Sequence, residues 1–384
     1  MDQTDRKEII RKRAEELGLD PIAFLPVRSF PLWKKGIQIR KFFDPDTAGY
    51  WEKRGLTQDA RTVLPDAGTI IAAACPYAVY QYPFSPGKGY YSAHYAAYPK
   101  AREAMKDLGA VLQKDGYQVK VDPPLPMKEI AYRGGLGKYG RNGLIHNHQS
   151  GSLMTLHVLL TDAVLPADNI DSGELCDCGD CRLCIRACPM NAIAENGVVQ
   201  IRRCLRSYMM SPGIVPVGVR EKLGDRMLGC EDCQIACPRN REGYRNAVEA
   251  ESGQEIFPIR KLLSDYAAGL KKYMVPVADT IGKNYARPRR ILSMAVIAAG
   301  NSGDLSYLPL LAHTLRHPHP PIRAHSAWAI GKLGGVPAEG ILKAAGEEEN
   351  NPEVQEEIRL AEDRIRQAFL SKSGSRMILH RDNP

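Results

Sequence analysis

Apolar positions in the first half of the chain switch between helical spacing and short strand-like runs. Residues 2–20 read as a helix. Thr69-Ile70-Ile71-Ala72-Ala73-Ala74-Cys75 is a short apolar run with the character of a buried strand. Residues 101–114 follow the spacing of an amphipathic helix. Gln118-Val119-Lys120-Val121-Asp122 then alternates as a strand that ends in a carboxylate ahead of a proline-rich turn. Residues 127–133 read as a helix and 153–160 as another strand. Between the strand at 69–75 and the helix at 101–114, residues 76–98 hold seven tyrosines among Pro, Gly and Ser, which predicts a long surface loop of the kind that lines sites. The first half is therefore mixed α/β.

Past about residue 284 the pattern becomes one of helix pairs, over residues 289–299, 307–315, 322–333 and 352–369, broken by Gly-Asn, His-Pro and Gly-Gly signals. The stretches that open Arg289-Arg290-Ile291 and Ile322-Arg323-Ala324-His325 share an Ala-rich core ending in Gly300 and Gly331. A repeat of about thirty residues of this type belongs to HEAT-like α-solenoids. The predicted fold class is thus multidomain: an α/β part over residues 1–165, a ferredoxin-like double-cluster module over 166–256, and a C-terminal α-helical HEAT-like repeat over 257–384.

Composition narrows the class. The 384 residues are 44% hydrophobic and 25% charged. No apolar run approaches the roughly 18 to 20 residues of a membrane span. The polar opening, Met1 to Lys7, lacks the apolar core of a secretory signal, so a cytoplasmic protein without membrane contact is expected. A net charge of +8 suits an anionic partner such as nucleic acid or an acidic electron donor, and equally suits plain solubility.

The chemistry sits in the cysteines, nine of ten of which fall between Cys176 and Cys237. Cys178-x2-Cys181-x2-Cys184-x3-Cys188-Pro189 is the two-cluster ferredoxin run, in which three thiolates grip one 4Fe-4S cluster and the fourth serves the other. Cys230-x2-Cys233-x3-Cys237-Pro238 supplies three more, and Cys204 completes eight. The natural allocation gives Cys178, Cys181, Cys184 and Cys237 to the first cluster, and Cys188, Cys204, Cys230 and Cys233 to the second. Four-cysteine zinc sites also use x2 spacings, but the x2-x2-x3-Pro run favours clusters. Cys75 and Cys176 are left over. Clusters pass electrons singly, so two-electron chemistry requires a cofactor or partner at the far end.

Gly135-Leu136-Gly137-Lys138-Tyr139-Gly140 has the form G-x-G-x-x-G, yet it follows a predicted helix rather than a strand. A tight turn that brings backbone close to a large flat cofactor or a phosphate is the better reading. The run Gly134 to Ile145, then Ser150-Gly151-Ser152, the double cysteine group and the terminal repeat together resemble the epoxyqueuosine reductase family, over about residues 121–332.

That resemblance implies cobalamin in the first half, with Gly135, Gly137, Lys138, Tyr139, Gly140, Asn142 and Ser152 as its contacts. It implies two 4Fe-4S clusters that reduce it, and reduction of epoxyqueuosine to queuosine in tRNA. Val121-Asp122-Pro123-Pro124-Leu125 matches the family's Val-Asp motif, making Asp122 the implied general acid for the departing epoxide oxygen; its other reading is a strand-end carboxylate capping a turn. An external donor such as a ferredoxin or flavodoxin would feed the clusters, and the basic C-terminal repeat (Arg287, Arg289, Arg290, Arg316, Arg323, Lys332) would dock tRNA. Two departures fall around the pocket. The Asp122-to-loop spacing is about one residue shorter than the family pattern, and His94-Tyr95-Ala96-Ala97-Tyr98 replaces its Asp-Tyr-His run. Two alternatives stay open on sequence alone: a corrinoid reductase of a small molecule, dehalogenase-like, and a non-catalytic iron-sulfur carrier.

Overall fold

The computed structural model describes residues 2–43, 45, 49, 55–81, 86–249, 256–265 and 274–378. Eight strands occur among them: β1 (Ile22–Pro26), β2 (Thr69–Pro76), β3 (Tyr90–Tyr91), β4 (Val119–Val121), β5 (Lys138–Tyr139), β6 (Ile145–His146), β7 (Met154–Thr161) and β8 (Arg226–Leu228). Contacts gather the described residues into two compact units, each discontinuous in sequence. The first draws on residues 1–81, 92–204 and 231–249, the second on 82–91, 205–230 and 250–384.

The first unit is built on an antiparallel sheet of order β1-β2-β7-β4. Side chains alternate across a strand, so each strand of this sheet feeds two cores. Ile71, Ala73 and Leu159 face helices α1 (Gln3–Glu16) and α3 (His94–Lys114), meeting Ile10, Ala14, Met105, Leu108 and Leu112. Ile70, Ala72, Ala74, Val158 and Leu160 face the other way, against Ile130 and Ala131 of α4 (Met127–Arg133) and Leu136 and Ile145 beyond it. Burial on both faces explains why β2 and β7 read as continuous apolar runs. Helix α2 (Pro31–Phe43) is anchored at its start by buried Glu129, whose carboxylate accepts from the Leu32 and Trp33 amides at 3.3 and 2.6 Å. Burial raises the pKa of Glu129, opposed by those two amides.

Several expectations are corrected here. Helix α1 stops at Glu16, short of residue 20 where the span read as a helix ends, and β1, which carried no sequence signal, follows at Ile22. Residues 76–98 are not a surface loop where they are described: Val79, Tyr90, Tyr91, Ser92 and Tyr95 are buried, and α3 begins at His94, a turn and more before the predicted 101. Aromatic rings supply large apolar area despite the polar neighbours that suggested a loop. Residues 82–85 of that stretch lie outside the described residues.

The second unit is mainly helical: α5 (Val217–Leu223), α6 (Pro288–Asn301), α7 (Leu308–Thr314), α8 (Pro320–Leu333), α9 (Val336–Glu348) and α10 (Pro352–Ile378). Proline opens α6 and α8 at the first turn, where its missing N–H costs nothing. Gly300 and Gly331, the ends of the two sequence repeats, allow close approach of neighbouring helices. A Cβ on Gly300 would lie 2.7 Å from the Ala329 Cβ, and one on Gly331 2.5 Å from the Ala361 Cβ. Gly331→Ala should therefore destabilise this unit by about 1–3 kcal/mol through overpacking, read as a lower urea midpoint; an unchanged midpoint would contradict the contact.

Candidate functional site

Asp122 follows β4 with a left-handed backbone, φ +49°, a conformation Asp tolerates better than most residues. The turn sends its carboxylate back onto β7. The Asp122 amide donates to the Val158 carbonyl at 2.7 Å, and the Val158 amide donates to Asp122 Oδ1 at 3.1 Å, so the side chain extends the strand ladder where the backbone leaves it. His157 Nδ1 lies 3.0 Å from Oδ2, the Tyr98 hydroxyl donates to Oδ2 at 3.2 Å, and Arg102 Nε is 3.7 Å away. The carboxyl is 6% exposed. Such a group is more than a turn cap: four donors from two elements, α3 and β7, converge on it.

His157 sits in β7 opposite Ala73, on the face covered by α3. It is fully buried, its ring centroid is 4.6 Å from that of Tyr98, and its Nε2 meets Thr155 Oγ1 at 3.1 Å. Thr155 is opposite Cys75 and contacts the Cys75 carbonyl at 3.5 Å. Burial raises the Cys75 thiol pKa. Sequence reasoning missed His157, Tyr98 and Arg102. The signal was available for His157: within strand 153–160 it shares the phase of Thr155, and a buried histidine in an apolar strand needs partners.

The glycine segment folds as a hairpin of β5 and β6, paired Lys138 to His146 and Tyr139 to Ile145. A helix precedes it and no helix follows, in keeping with the rejection of a dinucleotide fold. Gly135 has φ +66°, and a Cβ on Gly137 would come within 2.4 Å of the His146 carbonyl. Asn142 Oδ1 accepts from the Leu144 amide and would meet a Gly140 Cβ at 2.8 Å. Ser152 is placed apart from the hairpin strands, with its amide on Asn240 Oδ1 at 2.7 Å and its hydroxyl accepting from Asn240 Nδ2 at 3.0 Å. Tyr139 is half-buried and its pKa is raised, first by burial and then by Glu129. Residues 139–144 are half-buried, and the glycines at 140 and 143 leave stretches of backbone that suit a flat ring laid against them.

An acidic residue beside the cysteine run joins this hairpin to the module. Asp177 pairs with Arg239 at 2.9 Å and Lys138 at 3.9 Å, and His146 Nε2 lies 3.4 Å from it without a hydrogen bond. Burial and then Arg239 lower the pKa of His146.

None of the ten cysteines, all among the described residues, is in a disulfide. The Cys184 thiol is raised first by burial and next by its neighbours Cys237 and Cys181, so a thiol of the second sequence group stands among those of the first. The Ala192 amide donates to Cys188 Sγ at 3.3 Å, the kind of bond that stabilises a thiolate ligand. This donor set fits iron-sulfur clusters. Glu231, between Cys230 and Cys233 in sequence, is 2% exposed and accepts from the Ser92 hydroxyl at 2.8 Å.

In the helical unit Arg287, Arg289 and Arg316 are exposed. Two other residues of the predicted basic face are engaged by acids: Arg323 by Glu349 at 2.6 Å and Lys332 by Glu221 at 3.5 Å. His325 is fully buried, its Nε2 accepting from the Val215 amide at 2.9 Å, which removes it from any RNA-facing surface.

Residues 177–240 match the family model described as a 4Fe-4S double cluster binding domain. The chain is 26% identical over 381 residues to the epoxyqueuosine reductase of Bacillus cereus, covering 93% of this chain and 97% of that one. It is 33% identical over 263 residues to the Vibrio cholerae enzyme of that name, covering 63% of this chain and 69% of the relative. Its fold matches a Bacillus subtilis epoxyqueuosine reductase structure with TM-score 0.80 at 25% identity, over 95% of this chain and all of that one, in which a catalytic loop is swung out of the active site. A structure of epoxyqueuosine reductase with an epoxyqueuosine-modified tRNA stem loop has the same fold, at TM-score 0.80, 24% identity and coverage of 95% and 100%. Among the described residues no helix is long and apolar enough to cross a membrane.

Proposed function

The chain belongs to the epoxyqueuosine reductase family, and from that premise we propose that it reduces epoxyqueuosine to queuosine in tRNA. The reaction consumes two electrons and two protons, removes the epoxide oxygen as water and leaves a carbon–carbon double bond. The observation that carries the reading is the pairing of a double-cluster cysteine module with a buried carboxyl, Asp122, on which donors converge.

Functional roles divide along the chain as residues 1–165 for catalysis, 166–256 for the clusters and 257–384 for RNA. Cys178, Cys181, Cys184 and Cys237 hold the first cluster; Cys188, Cys204, Cys230 and Cys233 hold the second. When bound, a corrinoid supplies the strong two-electron reducing centre that clusters alone lack. The hairpin residues Gly135, Gly137, Lys138, Tyr139, Gly140 and Asn142 are the ones to hold it, with Ser152 securing the nearby Asn240. Asp122 delivers a proton to the oxygen as its bond to carbon breaks, and its surroundings keep water away from that transfer.

The HEAT-like helices α6 to α10 take the RNA arm on a face that includes Arg287, Arg289 and Arg316. Phosphate contacts of this kind weaken steeply with salt. A ferredoxin or flavodoxin is the class of donor that feeds one electron at a time.

The deciding experiment is anaerobic reconstitution with iron, sulfide and cobalamin, then incubation with epoxyqueuosine-containing tRNA and a chemical reductant, scored by nucleoside mass spectrometry. Conversion to queuosine supports the reading. Corrinoid binding without conversion points to a small-molecule substrate, and absence of corrinoid binding leaves an electron carrier. Separately, Cys204→Ala should lower the iron content by about one cluster's worth, roughly half; unchanged iron would refute the allocation.

A further inference from the structure

The chain of buried polar groups behind Asp122 reaches further than the proton transfer uses. From the Cys75 carbonyl it runs through the Thr155 hydroxyl, His157 Nε2 and His157 Nδ1 to the Asp122 carboxyl, with the Tyr98 hydroxyl on the same oxygen. Partners define the tautomer. An acid that keeps its proton for the epoxide turns only an acceptor oxygen toward the ring, before the transfer as after it, so His157 Nδ1 carries a hydrogen, and Nε2 of a neutral ring then accepts from Thr155. A threonine can reverse that role, accepting from Nε2–H of an imidazolium while donating to the Cys75 carbonyl. The ring itself is pinned by full burial and by the Tyr98 ring stacked at 4.6 Å.

We propose that His157 is a positioning residue of the reductive site, which fixes the direction of the Asp122 carboxyl and, through Thr155, accommodates its charge once the proton has left. This rests on the reading of Asp122 as the acid that protonates the epoxide oxygen. Proton balance is unchanged: Asp122 gives one proton to oxygen and regains one before the next turnover, and His157 ends each cycle as it began. Without the ring, a carboxyl held at a left-handed corner keeps only the Val158 amide, Tyr98 and Arg102, and its aim is lost.

Two variants and one spectrum test this on the full-length, cluster-loaded protein. His157→Phe keeps an aromatic ring to stack on Tyr98, at a slightly larger volume, but removes both nitrogens. His157→Asn places an amide N–H where Nδ1 was. Turnover should fall about a hundredfold in the first, with KM for tRNA unchanged, and recover mostly in the second. In the cluster-loaded protein without corrinoid, nitrogen-15 NMR should show His157 protonated at Nδ1, with Thr155→Val eroding that preference. Wild-type turnover in His157→Phe, or a spectrum with the hydrogen on Nε2, overturns the proposal. Failure of the acid reading looks different: Asp122→Asn stays fully active while the wild-type His157 spectrum still reports Nδ1–H against the carboxylate. Should the wild-type protein convert no epoxyqueuosine at all, the Nε2 or Nδ1 location of the hydrogen decides the positioning claim by itself.

Discussion

Asp122→Asn protein will retain its iron and bind tRNA as before, and its turnover will drop by about 10²- to 10⁴-fold, the range a general acid contributes. The prediction follows from the local geometry. Asparagine fits the left-handed corner and its carbonyl can still accept from the Val158 amide, so the strand end survives. The amide nitrogen, however, now faces His157 Nδ1, two donors where there was a donor and an acceptor, and the ring must move its hydrogen to Nε2. Loss of turnover with iron and fold intact is the expected result, measured by single-turnover nucleoside analysis beside iron quantification. Full activity would remove Asp122 from the chemistry.

The largest effect on stability is expected in the helical unit, at Arg220 and Glu357. Arg220 is fully buried on α5; its Nε donates to the Val215 carbonyl at 2.6 Å, and its two terminal nitrogens take Glu357 of α10 at 2.8 and 2.5 Å. The guanidinium also lies 5.6 Å from the Trp328 ring centre, and the Asn301 amide ties the Arg220 carbonyl. Glu357→Ala leaves a buried cation without its partner and should cost about 3–5 kcal/mol. Replacing both, as Arg220→Met with Glu357→Leu, should recover most of that, because two desolvated charges disappear together. Urea denaturation of the three proteins checks it. Equal loss in the single and double variants would mean that packing, rather than the unpaired charge, sets the cost.

Much of this was legible before any coordinates. Strands 69–75 and 153–160 lie where the apolar runs put them, because strands buried on both faces write themselves as near-continuous hydrophobics, and the edge strand at 118–122 was visible through its alternation. The cysteine spacing pointed to two clusters, since ligand geometry is local in sequence. Other features were hidden for physical reasons. β1 is five residues long, too short for its period to stand out beside the helix that ends at Glu16. α9 carries Gly340 and Gly346 inside an Ala- and Glu-rich stretch, which blurred its helical signal. The tyrosine-rich stretch looked like a loop by composition yet is largely buried where described. The setting of Asp122 depends on a pairing across 36 positions, with β7, and no local pattern contains that. Likewise Arg323 and Lys332 looked like a basic face until their acidic partners, distant in sequence, were in view.

The glycine contacts of the helical unit also decide where this chain can change length. Gly300 rests under Ala329 and Gly331 under Ala361, so α6, α8 and α10 meet in a fixed phase. One residue inserted into the middle of α8 would rotate everything beyond it by about 100°, carrying Gly331 off its alanine and placing a bulkier neighbour there. The connector at Gly334 and Gly335, both with positive φ and with no heavy atom nearer than 3.7 Å to an added Cβ, imposes no such phase. Insertions and deletions among relatives should accumulate at that connector and stay out of the helices it joins.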